Sequence, residues 1–283
     1  MLKFACWNTT GFNVNKILEF VDSYDILGLV ETWTHTDSPI NLSSFKFFHL
    51  PGTKRKEVKK GRRSGGIIWY YSINIERGIT LVSKKNYGLW IKLDKTFLKQ
   101  DFYIYLSVLY IKPQNPNVDS GEMFDNLNKD IAEYPNHGKI ILLGDFNCRT
   151  GEQADHIIND TLFNRADNNI LPETHTCDKE IIRKNCDKTI NSRGKLLLET
   201  CIRTKLGILN GRFLGDSLGN CTYFDVRGGC SVIDYTIVSE EIFHYISYFN
   251  VLPPVETSGH CIIRMALNIN TPIVNHDNEY LNM

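Results

Sequence analysis

Seven side chains able to move protons, activate water or hold a cation stand at the ends of apolar, strand-like stretches. LKFACW runs into Asn8, DILGLV into Glu31, YLSVL into Tyr110, and KIILLG into Asp145 and Asn147; CSVI leads into Asp234, and His260 precedes CIIRM. If these ends meet at one edge of the fold, they gather three carboxylates, two carboxamides, a phenol and an imidazole. Such a set can run a hydrolysis. A hard cation such as Mg²⁺ keeps several waters and needs only one or two carboxylates plus substrate phosphate oxygens. A further carboxylate can activate a water, while imidazole and phenol stabilise charge developing on phosphorus and on the leaving oxygen. Taken singly, Asn8 reads as a turn residue, Tyr110 as a core aromatic and His260 as a hydrogen-bonded histidine. Only the recurrence argues for chemistry.

Those ends need a frame. At 283 residues, 42% hydrophobic and 11% aromatic, the chain can bury one large core. LKFACWN, DILGLVET, SGGIIWYY, GLWIKL, FYIYLSVLYI, KIILLG, GILNG, CTYFDV, CSVIDYTIV and HCIIRMALNI have the composition and the Gly, Asn or Asp boundaries of strands. Helical spacing is confined to residues 14–21, 119–134 and 192–206. Asp119, with Glu122 three residues on, is the expected N-cap of the second helix; Lys205 in the last turn and Gly207 beyond it are expected to close the third. The excess of strands predicts an α/β fold of sheets packed on each other with helices outside, not a doubly wound parallel sheet.

Lys+Arg and Asp+Glu balance at 32 each, so total charge does not point to a polyanionic partner. Local charge does: KRKEVKKGRR, residues 54–63, is either a solvated loop or a strip that contacts phosphates. The start lacks the long apolar stretch of a signal peptide, and no apolar run is long enough to span a membrane, so a soluble intracellular chain with no membrane partner is expected. The eight cysteines form no C-x-x-C pair and read as reduced core thiols. His156, His175, Cys177 and Cys186 fall in a polar stretch, residues 151–191, with spacing poorly suited to zinc. Residues 1–270 are expected to form one domain and 271–283 a frayed tail.

At the level of motifs, WN (Trp7, Asn8), ET (Glu31, Thr32), GDFN (Gly144 to Asn147), IDY (Ile233 to Tyr235) and SGH (Ser258 to His260) follow one another in an order that resembles the endonuclease/exonuclease/phosphatase superfamily. RRSGGIIWYY, LYIKP, NSRGKLLLETC, GILNGRFLGDSLGNCTYF and SVIDYTIVS are similar, more narrowly, to the apurinic-type endonuclease domains of non-LTR retrotransposons. The resemblance implies a four-layer αββα sandwich of two packed, mostly antiparallel sheets with outer helices, and Mg²⁺-dependent (or Mn²⁺-dependent) nicking of DNA that leaves a 3′ hydroxyl. It implies Glu31 with Asn8 as metal ligands, Asp145 positioning or deprotonating water, and Asn147 holding that water or a phosphate oxygen. His260 would contact the scissile phosphate, Asp234 would orient His260, and Tyr110 would assist at the phosphate or leaving group. Thr222 matches a contact to the DNA backbone, and Arg62 and Arg63 of the basic run are candidate phosphate contacts.

Two positions depart from the family pattern. Ser258-Gly259-His260 has glycine where relatives carry aspartate, which predicts weakened metal affinity and a gain of activity in Gly259→Asp. Pro113 stands where relatives often have an asparagine, a place Asn115 can fill. The expected protein is a monomeric DNA endonuclease, nuclear if it acts on chromosomal DNA. A phosphatase or phosphodiesterase acting on small-molecule or lipid phosphates, and an inactive DNA-binding remnant, are the alternatives on the same scaffold.

Overall fold

The run Ile140-Ile141-Leu142-Leu143 is buried along its whole length because it threads the middle of a sheet that has a core on either side. Successive strand residues point to opposite faces. Ile141 and Leu143 therefore enter one apolar cluster and Ile140 and Leu142 another. The computed structural model describes residues 1–38, 40–54, 63–113, 120–134, 138–160, 177–178, 181–255 and 257–269. Arg62, Asn115, Asp119, His175, most of the basic run and the C-terminal tail lie outside them.

In chain order the strands are β1 (Leu2–Asn8), β2 (Ile26–Val30), β3 (Phe45–Leu50), β4 (Ile67–Ser72), β5 (Ile79–Lys85), β6 (Gly88–Leu93), β7 (Tyr103–Tyr110), β8 (Gly138–Asp145), β9 (Leu206–Ile208), β10 (Tyr223–Phe224), β11 (Cys230–Ser231), β12 (Asp234–Ser239), β13 (Ile246–Pro254) and β14 (Cys261–Leu267). The helices are α1 (Val14–Leu18), α2 (Lys95–Leu98), α3 (Ser120–Glu133) and α4 (Ser192–Thr204). One six-stranded sheet has the order β13-β14-β1-β2-β4-β3 and the other β5-β6-β7-β8-β12-β9, with β10-β11 as a separate hairpin. Only β1–β2 and β7–β8 pair in parallel within them.

Three clusters fill the spaces between layers, and together they make the four-layer αββα sandwich. Phe4, Cys6 and Trp69 of the first sheet meet Ile91, Leu106, Val108 and Ile141 of the second. On the outer face of the second sheet, Trp90, Leu142 and Ile237 receive Phe124, Leu127 and Ile131 from α3 and Leu197, Leu198 and Cys201 from α4. The outer face of the first sheet is covered at Ala5, Trp7 and Leu29 by Ile17 and Val21. Each such side chain, fully buried, contributes roughly 1.5–3 kcal/mol relative to exposure.

Three strands have no counterpart among the sequence expectations: β3, β5 and β13. All are edge strands. β5, ITLVSKK, alternates between half-buried and exposed residues, so only one side of it carries an apolar signal. The third helix also ends differently: Lys205 itself adopts the left-handed cap, at φ +52°, and Gly207 lies inside β9, which starts directly at Leu206. Reduced thiols are corrected at one pair. Cys221 and Cys230 form a disulfide that links the residue two before β10 to the first residue of β11, with their Cα atoms 5.9 Å apart.

Candidate active site

Strand pairing converts distant sequence positions into neighbours. Asn8 lies opposite Val30 where β1 and β2 end, so Asn8 and Glu31 leave the first sheet side by side. In the second sheet Asp145 is opposite both Tyr110 of β7 and Asp234 of β12. Asn8 Nδ2 then donates to Asp145 Oδ2 at 2.8 Å, stitching one sheet to the other at this edge. His260, just before β14, completes the group: ligand atoms of Asp145, Asp234 and His260 lie within 4.8 Å of one another, all on buried residues.

His260 Nδ1 is 2.9 Å from Asp234 Oδ2 and 3.1 Å from Oδ1. An ionised carboxylate only accepts, so Nδ1 donates and Nε2 remains for a substrate. Burial works against the imidazolium, but the charge of Asp234, its hydrogen bond, and the fields of Asp145 and Glu31 outweigh that and lift the His260 pKa to about 9. Asp145 is raised as well, but for an acid that means its charged form is disfavoured. Burial and then the charge of Asp234 raise its pKa to about 7, against the lowering effects of His260, the Asn147 N–H and Asn8.

Glu31 sits in the left-handed region at φ +52°. Its Oε2 accepts the Trp33 indole N–H and its Oε1 the Gly65 N–H at 3.1 Å. The Asn8 side-chain oxygen accepts the Thr10 N–H at 3.1 Å. Tyr110 stands beside Gly65 in a cavity of about 180 Å³ lined also by Leu50, Ile67, Asn86 and Lys112. Asp145 and Asp234 share a single imidazole, and Glu31 is close enough to act on it, so anionic oxygen is in surplus at this edge. That donor set fits a hard divalent cation.

The remaining expected residues fall in definite places. Asn147, at φ +47°, donates its N–H to Asp145 Oδ1 and its Nδ2 to the Ile111 carbonyl, both at 2.9 Å. Thr222 is fully buried, and its hydroxyl oxygen accepts the N–H groups of Ile233 at 3.0 Å and Asp234 at 2.9 Å. It holds the backbone that carries Asp234. Arg63 Nη1 donates to the Gly52 carbonyl at 2.6 Å, on the loop preceding Gly65. His156 pairs with Asp155 at 3.3 Å. Among the described residues no second group of three or more His, Cys, Asp or Glu converges as Asp145, Asp234 and His260 do.

Gly259 owes its identity to the hairpin. Its φ is +71°, its carbonyl accepts the Phe224 N–H at 2.8 Å, and a Cβ would come within 2.9 Å of the Phe224 carbonyl oxygen. A carboxylate at 259 would strain the backbone and push on β10, a structural obstacle to the gain expected of Gly259→Asp. Three supporting residues escaped the sequence reading. Trp33 grips Glu31, Ser258 donates to the Asn8 carbonyl, and the Tyr223 ring lies 4.7 Å from the His260 ring. Ser258 and Tyr223 stand within the SGH and CTYF motifs without a role of their own, and Trp33 stands in neither.

Comparison with known proteins agrees with this architecture. The family model described as "Endonuclease/Exonuclease/phosphatase family" matches residues 10–256. Among solved structures, an AP endonuclease from Leishmania major aligns at TM-score 0.63 and 18% identity, over 93% of this chain and 86% of that one. A 3′ phosphatase from Neisseria bound to a product DNA hairpin gives TM-score 0.63 and 15% identity, covering 94% and 99%. The endonuclease domain of TRAS1, a telomere-specific non-LTR retrotransposon, gives 0.59 and 15%, covering 96% and 100%. At these identities the likeness is one of fold. No curated protein sequence matches significantly.

Proposed function

The chain belongs to the endonuclease/exonuclease/phosphatase family, and from that premise we propose that it is a Mg²⁺- or Mn²⁺-dependent phosphodiester hydrolase of the retrotransposon type, nicking one strand of DNA to leave a 3′ hydroxyl. The observation that carries this reading is the buried Asp145–Asp234–His260 group, tied across the sheets to Asn8 and standing near Glu31. Asp145, with its pKa raised to about 7, is matched to taking a proton from water near neutral pH. His260, protonated and oriented by Asp234, presents Nε2 to a non-bridging phosphate oxygen. Tyr110 serves the leaving oxygen, and Asn147 keeps the Asp145 loop against β7. Glu31 and Asn8 would hold the divalent cation, which supplies Lewis-acid polarisation of the phosphate when bound.

DNA is favoured over a small phosphate ester by the basic run at 54–63 and by the likeness to the TRAS1 endonuclease domain. The protein acts as a monomer, and a chromosomal target would place it in the nucleus. The test is incubation with supercoiled plasmid in Mg²⁺ and in EDTA, followed by treatment of the nicked product with DNA ligase. Open circles that form only with metal and are resealed by ligase are expected. No nicking, together with hydrolysis of 4-nitrophenyl phosphate, would move the function to a phosphatase; neither activity, with salt-sensitive DNA binding retained, would leave a DNA-binding remnant.

A further inference from the structure

Asn191-Ser192-Arg193-Gly194 opens the third helical stretch of the sequence, and no catalytic role absorbs it. Three of its four residues nevertheless grip the two chain segments that carry Tyr110, Asp145 and Asn147. Asn191 caps α4 by accepting the Gly194 N–H at 2.7 Å, and the same oxygen accepts the Arg149 N–H at 3.2 Å. The Asn191 N–H donates back to the Arg149 carbonyl at 3.0 Å. Arg193 reaches the other segment, where its Nη1 donates to the Lys112 carbonyl, two residues past Tyr110. Between these grips, the Ile111 carbonyl is held by Asn147 Nδ2 at 2.9 Å and the Ile111 N–H by the Asp145 carbonyl at 2.9 Å. Gly194 closes the contact from below: a Cβ there would lie 1.9 Å from the Arg149 carbonyl oxygen.

Arg193 is the telling member. It is 1% exposed, and among the described residues its Nε and Nη2 have no hydrogen-bond partner. Burying a guanidinium for one carbonyl is costly, and an apolar side chain of similar length would fill the space with less penalty. What the charge obtains is the Lys112 carbonyl. We propose that Asn191, Arg193 and Gly194 form a positioning clamp that fixes the end of β7 against the loop after β8, and so fixes the Tyr110 hydroxyl against the Asp145 carboxylate. The clamp acts through Lys112 and Arg149, touches no substrate, and rests on the hydrolase reading above.

Arg193→Met and Gly194→Ala attack it from opposite sides, with Lys195→Ala on the exposed side of the same helix as control. Two readouts are needed: steady-state nicking of a fluorescent duplex, and hydrogen exchange in peptides spanning residues 108–113 and 146–150. Arg193→Met is expected to lower kcat by about tenfold or more with KM changed less than about twofold, because a small misplacement of reacting groups acts on the chemical step. Exchange should rise in both segments together while the rest of the second sheet stays protected. Arg193→Lys keeps a donor for the Lys112 carbonyl and should recover most of kcat. A folded Arg193→Met protein with unchanged kcat and exchange overturns the clamp, as does a defect confined to KM. Should Arg193→Met not fold, Gly194→Ala and Arg193→Lys carry the test, and unchanged kcat in Gly194→Ala or loosening spread over the whole sheet overturns it. If the unmodified protein cuts no phosphodiester, the hydrolase reading fails, while the paired exchange result still decides the clamp.

Discussion

Asp145 and Asp155 are ten residues apart and equally hidden, each 2% exposed, yet their surroundings treat a negative charge in opposite ways. Asp155 accepts Arg212 Nη1 at 2.6 Å, a second bond from Arg212 Nη2, the Ile208 N–H at 2.7 Å and His156 at 3.3 Å. Burial pushes its pKa up, but His156, the guanidinium and the backbone N–H hold it well below the usual carboxylate range. Asp145 has two neutral donors, Asn147 and Asn8, faces a second carboxylate, and is pushed up instead. Depth alone therefore does not mark a functional carboxylate. An incomplete set of compensating charges does, because the missing part can be supplied by a cation or a proton.

The comparison breaks most sharply under amide substitution. Asp145→Asn should lower the rate of DNA nicking by about 10²–10⁴-fold, the usual worth of a general base, with no loss of melting temperature because a like-charge repulsion is relieved. Wild-type turnover in that variant would remove Asp145 from the chemistry. Asp155→Asn should do the reverse, costing about 3–5 kcal/mol in urea denaturation as Arg212 loses its buried counter-charge. Cations give a smaller effect. At a hundred times its dissociation constant, Mg²⁺ should stabilise the protein by about 2.7 kcal/mol. Calorimetry should find that gain intact in Asp155→Asn and lost in Glu31→Gln. A Glu31→Gln protein that still responds would shift the metal onto Asp145 and Asp234.

The smallest effect is on pH dependence. On the proposed roles Asp145 works ionised and His260 protonated, so the rate should rise as pH passes about 7 and fall as it passes about 9. Removing the Asp234 charge lowers both values, since it repels the Asp145 anion and attracts the His260 cation. Asp234→Asn should therefore slide the whole profile towards acid by about one unit. A profile that narrows from one side only would mean that the two groups do not share Asp234.

The inner strands were legible because burial on both faces writes long apolar runs, as in β8, and the strand ends that converge were legible because those runs stop at polar residues. The edge strands were not: β5 hides one face only, and β13 shifts register where Val251 gives way to Pro254. Around the site, the residues that converge could be named, and the bonds that hold them could not. Nothing in the spacing says that the Trp33 indole turns back to Glu31, or that the Thr222 hydroxyl is spent on the Asp234 backbone. These bonds depend on left-handed turns at Glu31 and Trp33 and on a hairpin docked beside Gly259, which are tertiary facts. Cys221 and Cys230 illustrate the same limit, since composition predicts thiols and only the folded path of the chain brings the two together.

β1 lies between β2 and β14, so the first strand of this fold to be synthesised waits for the last strand of the same fold. The Trp7 indole donates to the His260 carbonyl across 253 residues of sequence, and Ser258 to the Asn8 carbonyl across 250. At roughly 5–20 residues per second of translation, those partners are separated by on the order of ten seconds or more. A nascent chain from which β14 has not yet emerged thus holds Asn8 and Glu31 with no His260 to face them. The edge exists only after β14 has emerged and has displaced solvent from β1, which ties the onset of any cutting to the arrival of the last strand of this fold.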